Sequence, residues 1–209
     1  MVGVPLMEER GPGAMQGISL TQKALNTHGA RALRLLETYW RSLPVQGTLA
    51  PWTEVDPGAI QDALEYAFMA VRVGRRHARI RVAGGAVGGP LGTPLTGLSL
   101  SALIQPEARP GFDADIADCF QRRCGLDLTL RAERQSLGVP ISARMVLYPL
   151  GNGPEDVSHF LGGFMVTGPT GPAPCRFNVM ARQYITRPKP RSRFLHTGHC
   201  HLRLVVSNP

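Results

Sequence analysis

The chain has few of the residues that announce a familiar chemistry. Its cysteines, Cys119, Cys124, Cys175 and Cys200, show no close repeated spacing. Neither a disulfide framework nor a paired-cysteine metal site follows from them. No nucleophile elbow and no H-E-x-x-H helix is present, so no enzyme is expected. The start, MVGVPLMEER, has acids where a secretory leader needs a basic region, and no apolar core follows. A cytoplasmic setting with free thiols is therefore expected. The longest uncharged stretch, 82–106, contains six Gly and three Pro, which excludes reading it as a membrane span.

Acidic residues are absent from one end. Residues 169–209 hold 7 Lys+Arg and no acid, whereas residues 1–168 carry a net charge of only +1. The formal charge of +8 therefore belongs to the last part of the chain and says little about the body. The body itself is apolar enough to fold: 43% of residues are hydrophobic and 18% charged. One domain of roughly 100–150 residues with tails suits the length.

Residues 1–20, rich in Gly, Met and Pro, are expected to be a disordered tail. From 21 to 43, Ala32, Leu33, Leu35, Leu36, Tyr39, Trp40 and Leu43 recur at three- and four-residue spacing and predict one amphipathic helix. Asp56 and Pro57 suit the cap and first position of a short helix. Residues 68–73 and 77–83 read as a hairpin, with Ala78, Ile80 and Val82 on one face and His77, Arg79 and Arg81 on the other. Short helices are expected through 84–104 and a longer one over 113–124, ended by Gly125. Strands follow at 126–134, 141–150 and 157–167, the last with Gly162 and Gly163 inside it. The expected fold is α+β: a five-stranded antiparallel sheet with a helical insert and an N-terminal amphipathic helix.

Two strands, a helical insert and three strands is the order of a PAS domain. Tyr39-Trp40-Arg41-Ser42-Leu43, then Pro51, then Asp56-Pro57, is similar to the entry of the alphaproteobacterial single-domain PAS-like family. So are Arg79-Ile80-Arg81-Val82-Ala83-Gly84, then Gly92 and Leu95-Thr96-Gly97, and the strand ending Leu147-Tyr148-Pro149-Leu150. The resemblance covers about 30–168, within a PAS-like domain set at 21–168; residues 169–209 are set apart as a basic Pro/Arg-containing tail.

The resemblance implies a sensory or regulatory module without catalysis of its own, acting in signal transduction through other proteins, as a homodimer, with a pocket in which a small ligand could gate it. Phe68, Ile80, Leu128 and Met145 are placed on the inner sheet face as the ligand pocket. Leu33, Leu36 and Trp40 are placed on the partner or dimer helix, although packing against the chain's own sheet would serve them equally well. No cofactor is expected. Haem is disfavoured because no His lies between His77 and His159, and flavin because 85–111 has no Cys for a photosensor's adduct. The run Gly84–Gly92 matches no phosphate-loop pattern and reads as a connection. His196, His199, Cys200 and His201 crowd too closely for a closed zinc site, so no metal is expected. The alternative function is a nucleic-acid-associated regulator, contacting anions through Arg187, Lys189, Arg191 and Arg193.

Overall fold

A computed structural model describes residues 13–132, 141–153, 156–168 and 174–187. Helix α1 (Gly13–Ser42) is followed by a two-residue strand β1 (Ala50–Pro51) and by 3-10 turns over Trp52–Glu54 and Pro57–Tyr66. Asp56 caps the second of these, its carboxylate accepting from the Gly58 amide at 2.8 Å, with Pro57 at the first position as the sequence predicts. Strands β2 (Ala67–Val73) and β3 (His77–Ala83) form the hairpin. The insert comprises α2 (Gly85–Gly88), short 3-10 turns and α3 (Arg109–Arg122). Strands β4 (Gly125–Ala132), β5 (Ile141–Gly151), β6 (Val157–Thr167) and β7 (Asn178–Ile185) complete the described chain.

The sheet runs β3-β2-β6-β5-β4-β7, antiparallel throughout, and β1 adds in parallel to β5. The antiparallel α+β body is the expected one, with more strands than expected. Strand β7 comes from the region assigned to the basic tail and pairs with β4 from Gly125↔Ile185 to Arg131↔Asn178. Just before it, the Phe177 amide donates to the Leu103 carbonyl and the Gln105 amide to the Phe177 carbonyl, both at 2.9 Å. The Cys175 amide donates to the Pro90 carbonyl at 2.7 Å. This segment stitches the insert down before it joins the sheet. Residues 201–206, HLRLVV, are apolar enough in sequence for a further strand but lie outside the described residues.

Three other expectations are corrected. Helix α1 starts at Gly13, inside the stretch read as a tail. Helix α3 ends at Arg122, and Arg123 takes the left-handed conformation (φ 53°) expected of a glycine. Gly125 is already in β4, where a Cβ would lie 3.1 Å from the Leu147 carbonyl. Finally, Val82 is 60% exposed instead of sharing the inner face with Ile80. Met69 pairs with Val82 but Ala70 pairs with Ile80, so a bulge at Arg81 reverses the alternation.

The sheet buries both faces. On the inner face the insert covers Ile80, Leu128, Met145, Phe160 and Phe164. On the outer face α1 covers Val146, Tyr148, Leu161 and Met165. The neighbours Gly162 and Gly163 make close packing possible on both sides of β6. A Cβ on Gly162 would lie 2.1 Å from Phe68 Cζ, and one on Gly163 2.8 Å from Leu36 Cδ1. An aromatic ring and a helix therefore rest on bare backbone at successive positions.

Candidate functional site

The space between the inner sheet face and the insert contains all four residues assigned to the ligand pocket. Phe68, Ile80, Leu128 and Met145 are buried in one apolar cluster. Alternation brings them there. Leu128 pairs with Met145, which pairs with Phe164, while Ile80 pairs with Ala70, which pairs with Phe160. Rings occupy the centre. Phe160 stacks on Phe120 of α3 at 5.1 Å between centroids, and Phe164 meets Phe177 edge-on at 5.7 Å. The Arg72 guanidinium lies 4.6 Å from the Phe120 centroid and pairs with Asp156 at 2.8 Å, closing the rim. Phe160, Phe164 and Phe177 were not singled out from sequence. The apolar period of 157–167 carries the first two, but Phe177 lay beyond the expected domain.

One charged side chain is buried here. Asp115 of α3 is 6% exposed. The Tyr184 hydroxyl of β7 hydrogen-bonds Asp115 Oδ1 at 3.3 Å and Asp118 Oδ2 at 3.2 Å. Arg182 Nε stands 3.1 Å from Asp115 Oδ2 but outside hydrogen-bond geometry, so the pairing is ionic. Burial raises the Asp115 pKa from its ordinary value, and Arg182 opposes the shift. Burial and the two carboxylates likewise raise that of Tyr184. This network fastens β7 to α3.

Cys119 and Cys124 are free and buried on either side of the left-handed Arg123. Their five-residue spacing, which fits no metal pair, is that of the two positions a left-handed helix end brings into contact. Cys119 hydrogen-bonds Cys124, so the Cys119 thiol is pushed up and the Cys124 thiol down.

The residues assigned to the partner helix are corrected. Leu33, Leu36 and Trp40 are 2%, 0% and 1% exposed, because α1 packs them on the chain's own sheet. Trp40 stacks on Tyr148 at 5.0 Å and donates from Nε1 to the Pro149 carbonyl at 3.1 Å. Arg187 is corrected as well. It is not open to anions but donates to the Arg41 carbonyl at 3.0 Å and to the Leu43 carbonyl, with its guanidinium 5.3 Å from the Trp40 centroid. Burial, then Arg41, pushes its pKa down. Lys189, Arg191, Arg193 and the 196–201 cluster lie outside the described residues. Among the described residues no three metal-capable side chains stand together, and no helix is long and apolar enough to cross a membrane.

Of the two histidines weighed for haem, His77 is 56% exposed and faces Asp113 at 3.4 Å. His159 stacks on Trp52 at 4.7 Å on the outer face, its pKa lowered by burial and by Arg81.

The family model for the PAS domain matches residues 28–165, from α1 into β6 with the whole insert, and leaves β7 outside. The chain belongs to the PAS domain family. No curated protein matches it. Among solved structures it is similar to the light-oxygen-voltage protein of Rhodobacter sphaeroides, at 19% identity and TM-score 0.39, over 51% of this chain and 61% of that one. A light-oxygen-voltage domain studied with a flavin analogue is 17% identical, over 53% and 83% of the two chains, with TM-score 0.42. An RNA-binding light-oxygen-voltage receptor is 22% identical, over 59% and 36%, with TM-score 0.40.

These neighbours correct one expectation. Flavin was set aside because 85–111 lacks a cysteine, yet solved structures like this PAS chain include a domain whose mechanism was studied with a flavin analogue. A missing thiol speaks only against a covalent adduct. Stacking and hydrogen bonds hold a flavin without one, so the cysteine argument does not exclude this cofactor.

Proposed function

We propose that the chain is a non-catalytic regulatory PAS module that works inside the cell by binding another protein. The observation that carries this reading is that the match to the PAS domain family, 28–165, runs from α1 into β6 and takes in the whole insert. A ligand gate fits the inner cluster of Phe68, Ile80, Leu128 and Met145. Phe68 lies on the bare backbone of Gly162, so an apolar ligand entering there would lift this ring and disturb both β2 and β6. A homodimer is part of the proposal, formed through a surface other than Leu33, Leu36 and Trp40. The test has two parts. Native mass spectrometry of the protein purified from its own cells reads any retained ligand. Reconstitution with a protein captured from those cells, with and without nuclease, separates a protein partner from nucleic acid.

A further inference from the structure

The near-neutral charge of the body hides a strong local imbalance. Between Glu65 and Glu107 the chain has five arginines and no acid. Arg72 is used internally, on Asp156 and Phe120. The other four, Arg75, Arg76, Arg79 and Arg81, are exposed along the β2–β3 hairpin and have no acidic partner among the described residues. Charges on an outer strand commonly guard an open sheet edge. Here that edge is already closed around Arg79, because the Ile80 amide donates to the Leu98 carbonyl at 2.9 Å and the Gly97 amide to the Ile80 carbonyl at 2.7 Å. Arg79 also bridges to Ser99.

An apolar groove of about 290 Å³ has Val82, next to Arg81 on β3, in its wall. Its walls include Ile60, Leu64, Phe68, Met69, Val82 and Leu161. The bulge at Arg81 creates it by turning Val82 outward, and Leu64 on the opposite bank is 41% exposed. Arg79, Val71 and His159 form one row across three strands, and His159 lies two residues from the groove wall at Leu161. Arg81 acts electrostatically on His159, on which the 39% exposed Trp52 stacks. Cations, an aromatic shelf and an apolar slot are thus contiguous on the outer face.

We propose that this groove docks an acidic segment of a partner protein, which inserts an apolar side chain between Leu64 and Val82 and sets its carboxylates against Arg79 and Arg81. This rests on the reading of the chain as a protein-binding module. Charge complementarity selects the occupant. The chain's own C-terminal residues 169–209 contain no acid and would be repelled. Nucleic acid suits the arginines but leaves the apolar slot without a purpose. Asp62 and Glu65 belong to the far bank, so a partner lies with its acids toward β3.

The probe is a fluorescein-labelled peptide alternating Glu with Leu and Phe, titrated by anisotropy against the full-length chain. Arg79→Glu with Arg81→Glu, and separately Val82→Asp, should each weaken binding roughly tenfold or more. All three sites are exposed, and circular dichroism checks that the variants fold. No binding at millimolar protein, or binding indifferent to these variants, overturns the proposal. So does an oligothymidylate that binds through Arg79 and Arg81 without regard to Val82, which would make this a nucleic-acid contact. If a reconstituted partner protein binds the double-arginine variant as tightly as the wild type, the interface lies elsewhere and the module reading stands.

Discussion

Arg187 caps the C-terminal end of α1 at Arg41. Its guanidinium donates to the Arg41 carbonyl at 3.0 Å, and Arg41 donates back to the Thr186 carbonyl at 3.5 Å. The last carbonyls of a helix have no partner within it, and a cation near them is doubly favourable. Arg187→Ala should therefore lose about 1–2 kcal/mol of stability, read as a lower urea midpoint. An unchanged midpoint would show that the end of β7 is not fastened to α1.

Leu36 is fully buried, with Cδ1 against the backbone of Gly163. Leu36→Asp places a charge in that contact, and the account predicts unfolding, monitored by circular dichroism. A folded variant that only loses self-association would return α1 to the role of a partner helix.

Gly162→Ala tests the inner packing. The new methyl would collide with the Phe68 ring, at a cost of roughly 1–3 kcal/mol. Phe68→Leu shortens the side chain that meets it. In a double-mutant cycle the pair should be less destabilised than the sum of the single changes, whereas additive values would separate the two residues.

Asp115 gives a pH dependence of definite sign. Its folded pKa is raised by burial, so between the ordinary carboxylate value and the raised one the folded state holds a proton the unfolded state has lost. Stability from this group is present below the ordinary value and lost as pH rises through the folded value. Asp115→Asn should remove this component while leaving an acceptor for Tyr184. Urea midpoints of wild type and variant across that window should converge at low pH and separate above it, with the variant the more stable. Parallel curves would mean that Asp115 does not titrate differently on folding.

Much of this architecture was readable in the pattern of side chains. Strict alternation in 126–132 and 77–80 located β4 and the start of β3, and three- and four-residue spacing located the inner face of α1. The family resemblance pointed to Phe68, Ile80, Leu128 and Met145 as one inner-face group, and they share one buried cluster. What escaped is what side-chain periodicity does not encode. Strand β7 is mostly exposed, so NVMARQYI has no apolar period and is held by main-chain pairing with β4. The outward turn of Val82 is a register effect of one extra residue. A non-glycine at the left-handed end of α3 misplaced that boundary. An amphipathic face states that something covers it but not what, and for Leu33, Leu36 and Trp40 it is the chain's own sheet. Total charge misled twice. It credited the tail with Arg187, which is spent internally, and its near-zero value for the body concealed the arginines of β3.

The account stands most directly on whether this PAS module acts by binding a protein. The deciding measurement is reconstitution of the nuclease-treated full-length chain with its captured protein, followed by light scattering and titration at increasing salt. A stoichiometric protein complex that survives nuclease is the predicted result. Recovery of nucleic acid alone, with affinity falling steeply as salt rises, would contradict it.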